Sequence, residues 1–174
     1  MDFPTAVRSC FAKYVTFSGR ARRPEYWWFF LFVFLGSIVL GVVDSVLFGP
    51  AAAPHGQEDS AGPLTTIFQL LVFLPGLAAG WRRMHDTGRS GWLLLLPVLV
   101  SVAMWLIFLL GLAGLSSMEG HGGSAAEMQR SAAMIGGIGL VLLAIAQLVV
   151  SILMLWWLTR PTQPGDNAYG PEPQ

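Results

Sequence analysis

Charge is scarce in this 174-residue chain: Asp, Glu, Lys and Arg make up 11 % of it, where an average soluble domain carries about a quarter. The ten basic and ten acidic residues cancel. That balance excludes a nucleic-acid partner held by bulk electrostatics and makes the distribution of charge the informative quantity. Cysteine is nearly absent too. A lone Cys10 excludes an internal disulfide and reads as a small apolar filler. No metal-ligand spacing occurs: His55 with Glu58 and Asp59, or His121 near Glu119, lie in stretches rich in Gly, Ala, Ser and Pro, without a Cys partner. No metal and no cofactor are expected there.

What the chain has instead is hydrocarbon. It is 54 % hydrophobic, with mean hydropathy +0.60. Four apolar runs, 27–48, 64–80, 92–115 and 135–158, reach the roughly 17–25 residues that a helix needs to cross a core about 30 Å thick. The expected fold is an all-α membrane protein with four transmembrane helices. The run after Trp27 is longer than the ~7–15 residues of a signal h-region and has no small-residue cleavage site behind it, so it is expected to be retained. Arg8, Lys13, Arg20, Arg22 and Arg23 precede the first run, Arg82, Arg83 and Arg89 follow the second, and Arg160 follows the fourth, while Arg130 alone falls in an intervening segment on the other side. The positive-inside rule then places both termini and the 81–91 loop in the cytoplasm of a bacterial inner membrane, with loops 49–63 and 116–134 outside.

At the N-terminus, Phe3, Val7, Cys10, Phe11, Tyr14 and Val15 recur at helical spacing, with Pro4 acceptable in a first turn. This predicts an amphipathic helix over 1–16 that lies on the membrane face, docks on the protein's own spans, or does both. The transmembrane domain then covers 17–160. The tail 161–174, "PTQPGDNAYGPEPQ", is too rich in Pro and Gly for a regular element and is expected to be a flexible cytoplasmic extension.

Two stretches concentrate the charge. In "FSGRARRPEYWWFF" (17–30), Ser18 and Gly19 make a break, and Pro24 with Glu25 suits the first turn of a helix. Tyr26, Trp27 and Trp28 then sit at headgroup depth. In "WRRMHDTGRSGW" (81–92), Arg82 and Arg83 suit a helix C-terminus, Gly88 its stop, and Ser90 an N-cap for the next helix. Helix continued to Asp86 puts Arg82, His85 and Asp86 on one face.

These motifs, with the terminal "PGDNAYGPEP", resemble the bacterial inner-membrane family known as domain of unknown function 805, the YhaH-like proteins. The resemblance runs from about Phe11 to Pro173. It rests on Gly19, Arg20, Arg23, Glu25, Tyr26 and Trp27 in the first motif and on Arg82, Arg83, His85, Asp86, Gly88, Ser90, Gly91 and Trp92 in the second. Met84 and Ala168 depart mildly from the pattern, and the 116–134 loop is long for such proteins. The resemblance implies a multi-helix inner-membrane architecture and supplies no activity.

Function is therefore sought in the sites. The leading expectation is that both motifs converge into one pocket rimmed by Trp27 and Trp92, where Arg20, Arg22, Arg23, Arg82, Arg83 and Arg89 hold an anionic lipid head group or another phosphate-bearing ligand, oriented by Glu25, His85 and Asp86. The alternative is a structural or partner-binding scaffold whose charges pair with one another and fix topology. An enzyme acting through His85 and Asp86 is the weaker case, because neighbouring helical residues diverge and no nucleophile accompanies them. A transporter needs polar groups inside the membrane, and only Asp44, Gln69 and Gln147 are candidates; Asp44 and Gln69 are expected to hydrogen-bond between the first two spans. Gly76 and Gly80 form a GxxxG, and Gly136, Gly137 and Gly139 thin the fourth span. They suit bundle packing first and a homo-oligomer second.

Overall fold

Prolines mark the starts of three helices, where their missing N–H costs nothing and their fixed φ suits the first turn. In the computed structural model, which describes residues 1–49, 62–118 and 125–173, these are α1 (Phe3–Ala12), α2 (Arg23–Phe48) and α3 (Pro63–Asp86). A 3₁₀ turn, Gly91–Leu95, leads into α4 (Leu96–Met118), and α5 covers Ala125–Thr159. The loop residues His55, Glu58, Asp59, Glu119 and His121 lie outside the described residues. Four helices are long and apolar enough to cross a membrane: Arg23–Phe48, Pro63–Asp86, Gly91–Gly111 and Gly136–Thr159. Their outward faces expose residues such as Phe34, Val39, Val46, Leu70, Phe73 and Leu110, apolar surface on a scale that suits lipid.

Two helix starts differ from expectation. Ser90 does not open an α-helix; α-helical geometry begins at Leu96, because Pro97 has no N–H to donate back to Leu93 and the preceding turn tightens instead. Helix α5 begins ten residues before the apolar run, inside the stretch read as loop. The sequence there, "AAEMQR", consists of good helix formers, and Glu127 and Arg130 limit the apolar span without stopping the helix.

The chain divides into two units, Met1–Gly91 with Leu158–Gln174, and Trp92–Trp157. In the first, α1 packs on α2 and α3 through Ala6 and Cys10, around a core of Cys10, Phe29, Val72 and Ala79. Phe11 packs edge-on against the rings of Phe29 and Phe32 on α2 while keeping part of its surface exposed, and Val15, past the end of α1, stays exposed. Gly80 is buried in this unit, and Gly76 lies against the Phe29 ring.

Two sets of polar contacts secure α3. Pro75, inside the helix, cannot donate to the carbonyl of Leu71, and the hydroxyl of Tyr14 donates to that carbonyl at 2.7 Å. At the other end, the Asp44 carboxylate accepts from the amides of Leu64 (3.1 Å) and Thr65 (2.8 Å) and from the Thr65 hydroxyl (2.7 Å). Gly62 permits this approach, since a Cβ there would lie 2.2 Å from Asp44 Cγ. Asp44 therefore joins the first two spans as a helix cap, and Gln69 is not its partner: the free amides of a helix N-terminus are stronger claimants on a carboxylate. In the second unit Gln147 donates to the carbonyl of Pro97 (2.9 Å) and to the Ser101 hydroxyl.

Candidate functional site

The charged end of the first unit is assembled from five parts of the chain: α1, the 17–22 linker, the first turn of α2, the C-terminal turns of α3, and the tail. Helix α3 carries Arg82, Arg83, His85 and Asp86 to its end, all buried. It closes when Gly88, at φ 71°, donates to the His85 carbonyl and Arg89 N donates to the Met84 carbonyl. The linker is zipped onto it by Ala21 N donating to the Arg82 carbonyl at 3.1 Å.

Two carboxylates organise the cluster. Asp86, fully buried, takes Arg20 Nε on Oδ1 at 3.1 Å, and Arg83 Nη1 and the Thr162 hydroxyl on Oδ2. Glu25, in the first turn of α2, takes Arg82 Nη2 at 3.3 Å, the Ser9 hydroxyl at 3.1 Å and Lys13 Nζ at 3.6 Å on one oxygen, Oε1. Carbonyl oxygens accept from most of the remaining guanidinium donors. Arg82 donates to Lys13 and Thr16, Arg83 to Leu158 and Arg160, and Arg20 to Gln163, Gly165 and Gly170. Among the described residues, the Nε of Arg82 is the one buried side-chain polar atom without a partner.

His85 and Asp86 diverge, as neighbours on a helix must. The imidazole contacts the Gly19 carbonyl through Nδ1 at 3.1 Å, which as donor fixes the proton on that nitrogen, and its ring stacks on Tyr169 with centroids 3.9 Å apart. Asn167 donates to the His85 carbonyl, and Gln163 N to the Asp86 carbonyl, both at 3.0 Å. The tail, expected as a flexible extension, instead folds back and belongs to the first unit. It has no helix, as its Pro and Gly content requires, yet its carbonyls are the principal acceptors for Arg20. Sequence reasoning did not find the tail contacts of Gln163, Gly165, Asn167 and Tyr169; the aromatic and Asn between two glycines were their only trace.

The other expected site residues are not part of the buried cluster. Arg22 directs Nε and Nη2 to the Pro173 carbonyl (2.9 and 2.8 Å), Arg23 is exposed with Nη1 3.5 Å from the Thr159 carbonyl, and Arg89 donates to the Thr87 carbonyl at 3.2 Å. Trp27 is half-buried between the rings of Tyr26 and Phe30. Trp92 belongs to the second unit and is 67 % exposed. Among the described residues no three His, Cys, Asp or Glu side chains group as metal ligands.

A family profile described as "Protein of unknown function (DUF805)" matches residues 14–122, which include both charged motifs. The chain belongs to this family. The matched stretch is shorter than the resemblance read from the motifs, since it stops before the tail. Among curated relatives, the inner membrane protein YhaH of Escherichia coli K12 is 46 % identical over 96 residues, 55 % of this chain and 74 % of YhaH. The inner membrane protein YhaI of the same organism is 39 % identical over 102 residues, 58 % of this chain and 76 % of YhaI. No solved structure matches the chain. With four candidate spans and these relatives, this DUF805 member is an integral inner-membrane protein.

Proposed function

We propose that the two charged motifs serve as an internal clamp, making this protein a membrane scaffold whose first unit is locked at its charged end. The observation that carries this reading is the burial of the motif arginines with their partners: the side chains of Arg82, Arg83 and Asp86 are at most 1 % exposed. A ligand pocket formed by Arg20, Arg82 and Arg83 needs guanidinium faces open to an incoming anion, and these are turned onto Glu25, Asp86 and the carbonyls of the linker and tail. The clamp also accounts for the concentration of scarce charge in two short stretches. Buried ions need paired ions, so the motifs have to occur together.

A double-mutant cycle tests it. Removing one partner of a buried ion pair costs about 3–5 kcal/mol, whereas replacing both with apolar groups is far milder. Arg82→Leu alone is expected to lower the melting temperature strongly, and Glu25→Leu with Arg82→Leu to recover much of the loss, with the amount of co-purified lipid unchanged throughout. Melting and lipid content are read on the same detergent samples. Additive losses across the pair, or lipid lost in step with Arg82, would remove the clamp.

A further inference from the structure

Carbonyl oxygens satisfy hydrogen bonds without neutralising charge. The buried cluster and its rim together hold five cations, Lys13, Arg20, Arg82 and Arg83 with Arg22 beside them, against two carboxylates, Glu25 and Asp86. The tail acids do not make up the difference: Asp166 and Glu172 are exposed and accept from the amides of Glu172 and Gly165. The surplus positive charge lies beside an opening. A cleft of about 500 Å³ runs along α1 from Thr5 to Lys13 and is bounded by Arg20, Arg22, Glu25 and Pro173.

We propose that this cleft binds a phosphate-bearing anion, with Lys13 and Arg22 as the cations that receive it. The inference goes beyond the clamp, since neither residue belongs to the pairs buried within it. The Lys13 side chain is 46 % exposed, and its one acid partner, Glu25, is shared with Arg82. Arg22 presents a two-pronged fork to a single neutral acceptor, the Pro173 carbonyl. A phosphate offers two charged oxygens in the geometry that fork matches, so it outcompetes one carbonyl for the same donors. At the far end of the cleft the Thr5 hydroxyl is taken by Asp2, so the receiving groups are the two cations. Arg20 lines the wall but is held by Asp86 and the tail, so it contributes field rather than contact. On the same N-terminal segment, Val15 is exposed just past the end of α1, and Phe11 keeps part of its ring exposed while packing on Phe29 and Phe32. An apolar helix edge next to a cationic recess is the arrangement that takes an anionic phospholipid head group from an adjoining leaflet. A soluble phosphate ester carries the same chemistry.

The test compares the wild-type protein with K13Q/R22Q and with R8Q/R130Q, a control that removes the same charge from two exposed positions outside the cleft. Native mass spectrometry after adding phosphatidylglycerol or phosphatidylcholine reads the lipid source, and equilibrium dialysis of labelled inorganic phosphate reads the soluble one. A juxtamembrane cation is worth about fivefold in affinity for an anionic surface. K13Q/R22Q is thus expected to lose phosphatidylglycerol by roughly 25-fold, with phosphatidylcholine unaffected and R8Q/R130Q retaining wild-type binding. Loss of inorganic phosphate binding in K13Q/R22Q, with phosphatidylglycerol unchanged, assigns the same cleft to a soluble ligand. Unchanged binding of both probes, or equal loss in the control, overturns the site. Should the double variant fail to fold, Lys13→Gln alone, at its largely exposed position, carries the same comparison with a fivefold expectation.

Discussion

At the scale of single residues, Cys10 shows how position decides chemistry. Its side chain is fully buried between α1 and α2, with Sγ 3.8 Å from the Glu25 carbonyl. Burial, with the Glu25 carboxylate as a lesser contributor, pushes its thiol up to about 12. The thiolate is the reactive species, so at pH 8 the reactive fraction falls by about a thousandfold relative to an ordinary cysteine. Iodoacetamide at pH 8 is expected to leave Cys10 unmodified in intact membranes and to label it fully after denaturation, as read by mass spectrometry. Labelling of the native protein at the rate of a free thiol would mean that α1 is not docked as described. The reading of Cys10 as apolar filler was available from its place on the helical stripe. Its neighbour on the docked face, Ala6, was not, because alanine gives too weak a hydrophobic signal to mark a contact.

At the scale of elements, the helices were legible because each start and stop has a local cause: Pro24 and Glu25 for α2, Gly88 for α3, and long apolar runs between. What local sequence does not encode is which distant group completes a local defect. Pro75 announces a broken rung in α3, but nothing near it says that Tyr14, 57 residues before the stranded Leu71 carbonyl, supplies the missing donor. Tyr14→Phe is expected to cost about 1 kcal/mol, since the Leu71 carbonyl loses its partner. In a Pro75→Ala background the restored amide reclaims that carbonyl, and the same substitution becomes nearly neutral. Melting temperatures of the four proteins decide it, and an equal loss in both backgrounds would dispose of the compensation. Asp44 follows the same logic. Its burial was predictable from the span, but its role as a cap depends on where the chain re-enters at Gly62. The arginines were legible as a group, yet their partition between Glu25, Asp86 and the tail was not, since apart from the i,i+3 pair of Arg83 and Asp86 each pairing needs distant parts of the chain to meet.

For the whole molecule, nine of ten basic residues fall on one predicted side of the membrane. On the positive-inside rule, the clamp and the proposed anion cleft are expected at the cytoplasmic face. Alkaline phosphatase fused after Gly62 or after Ser124 is expected to be active, and fusions after Arg89 or at Gln174 inactive; an active Arg89 fusion would invert the protein. The first unit is also discontinuous, made of Met1–Gly91 and Leu158–Gln174. Thr162, which completes the shell around Asp86, lies 76 residues further along the chain. At about 5–20 residues per second, a ribosome adds that length in roughly 4–15 s. For that interval Arg20 and Arg83 have been made and their tail acceptors have not. The nascent chain therefore carries charges awaiting burial while α4 and α5 are made, and a segment made early is sealed by one made late.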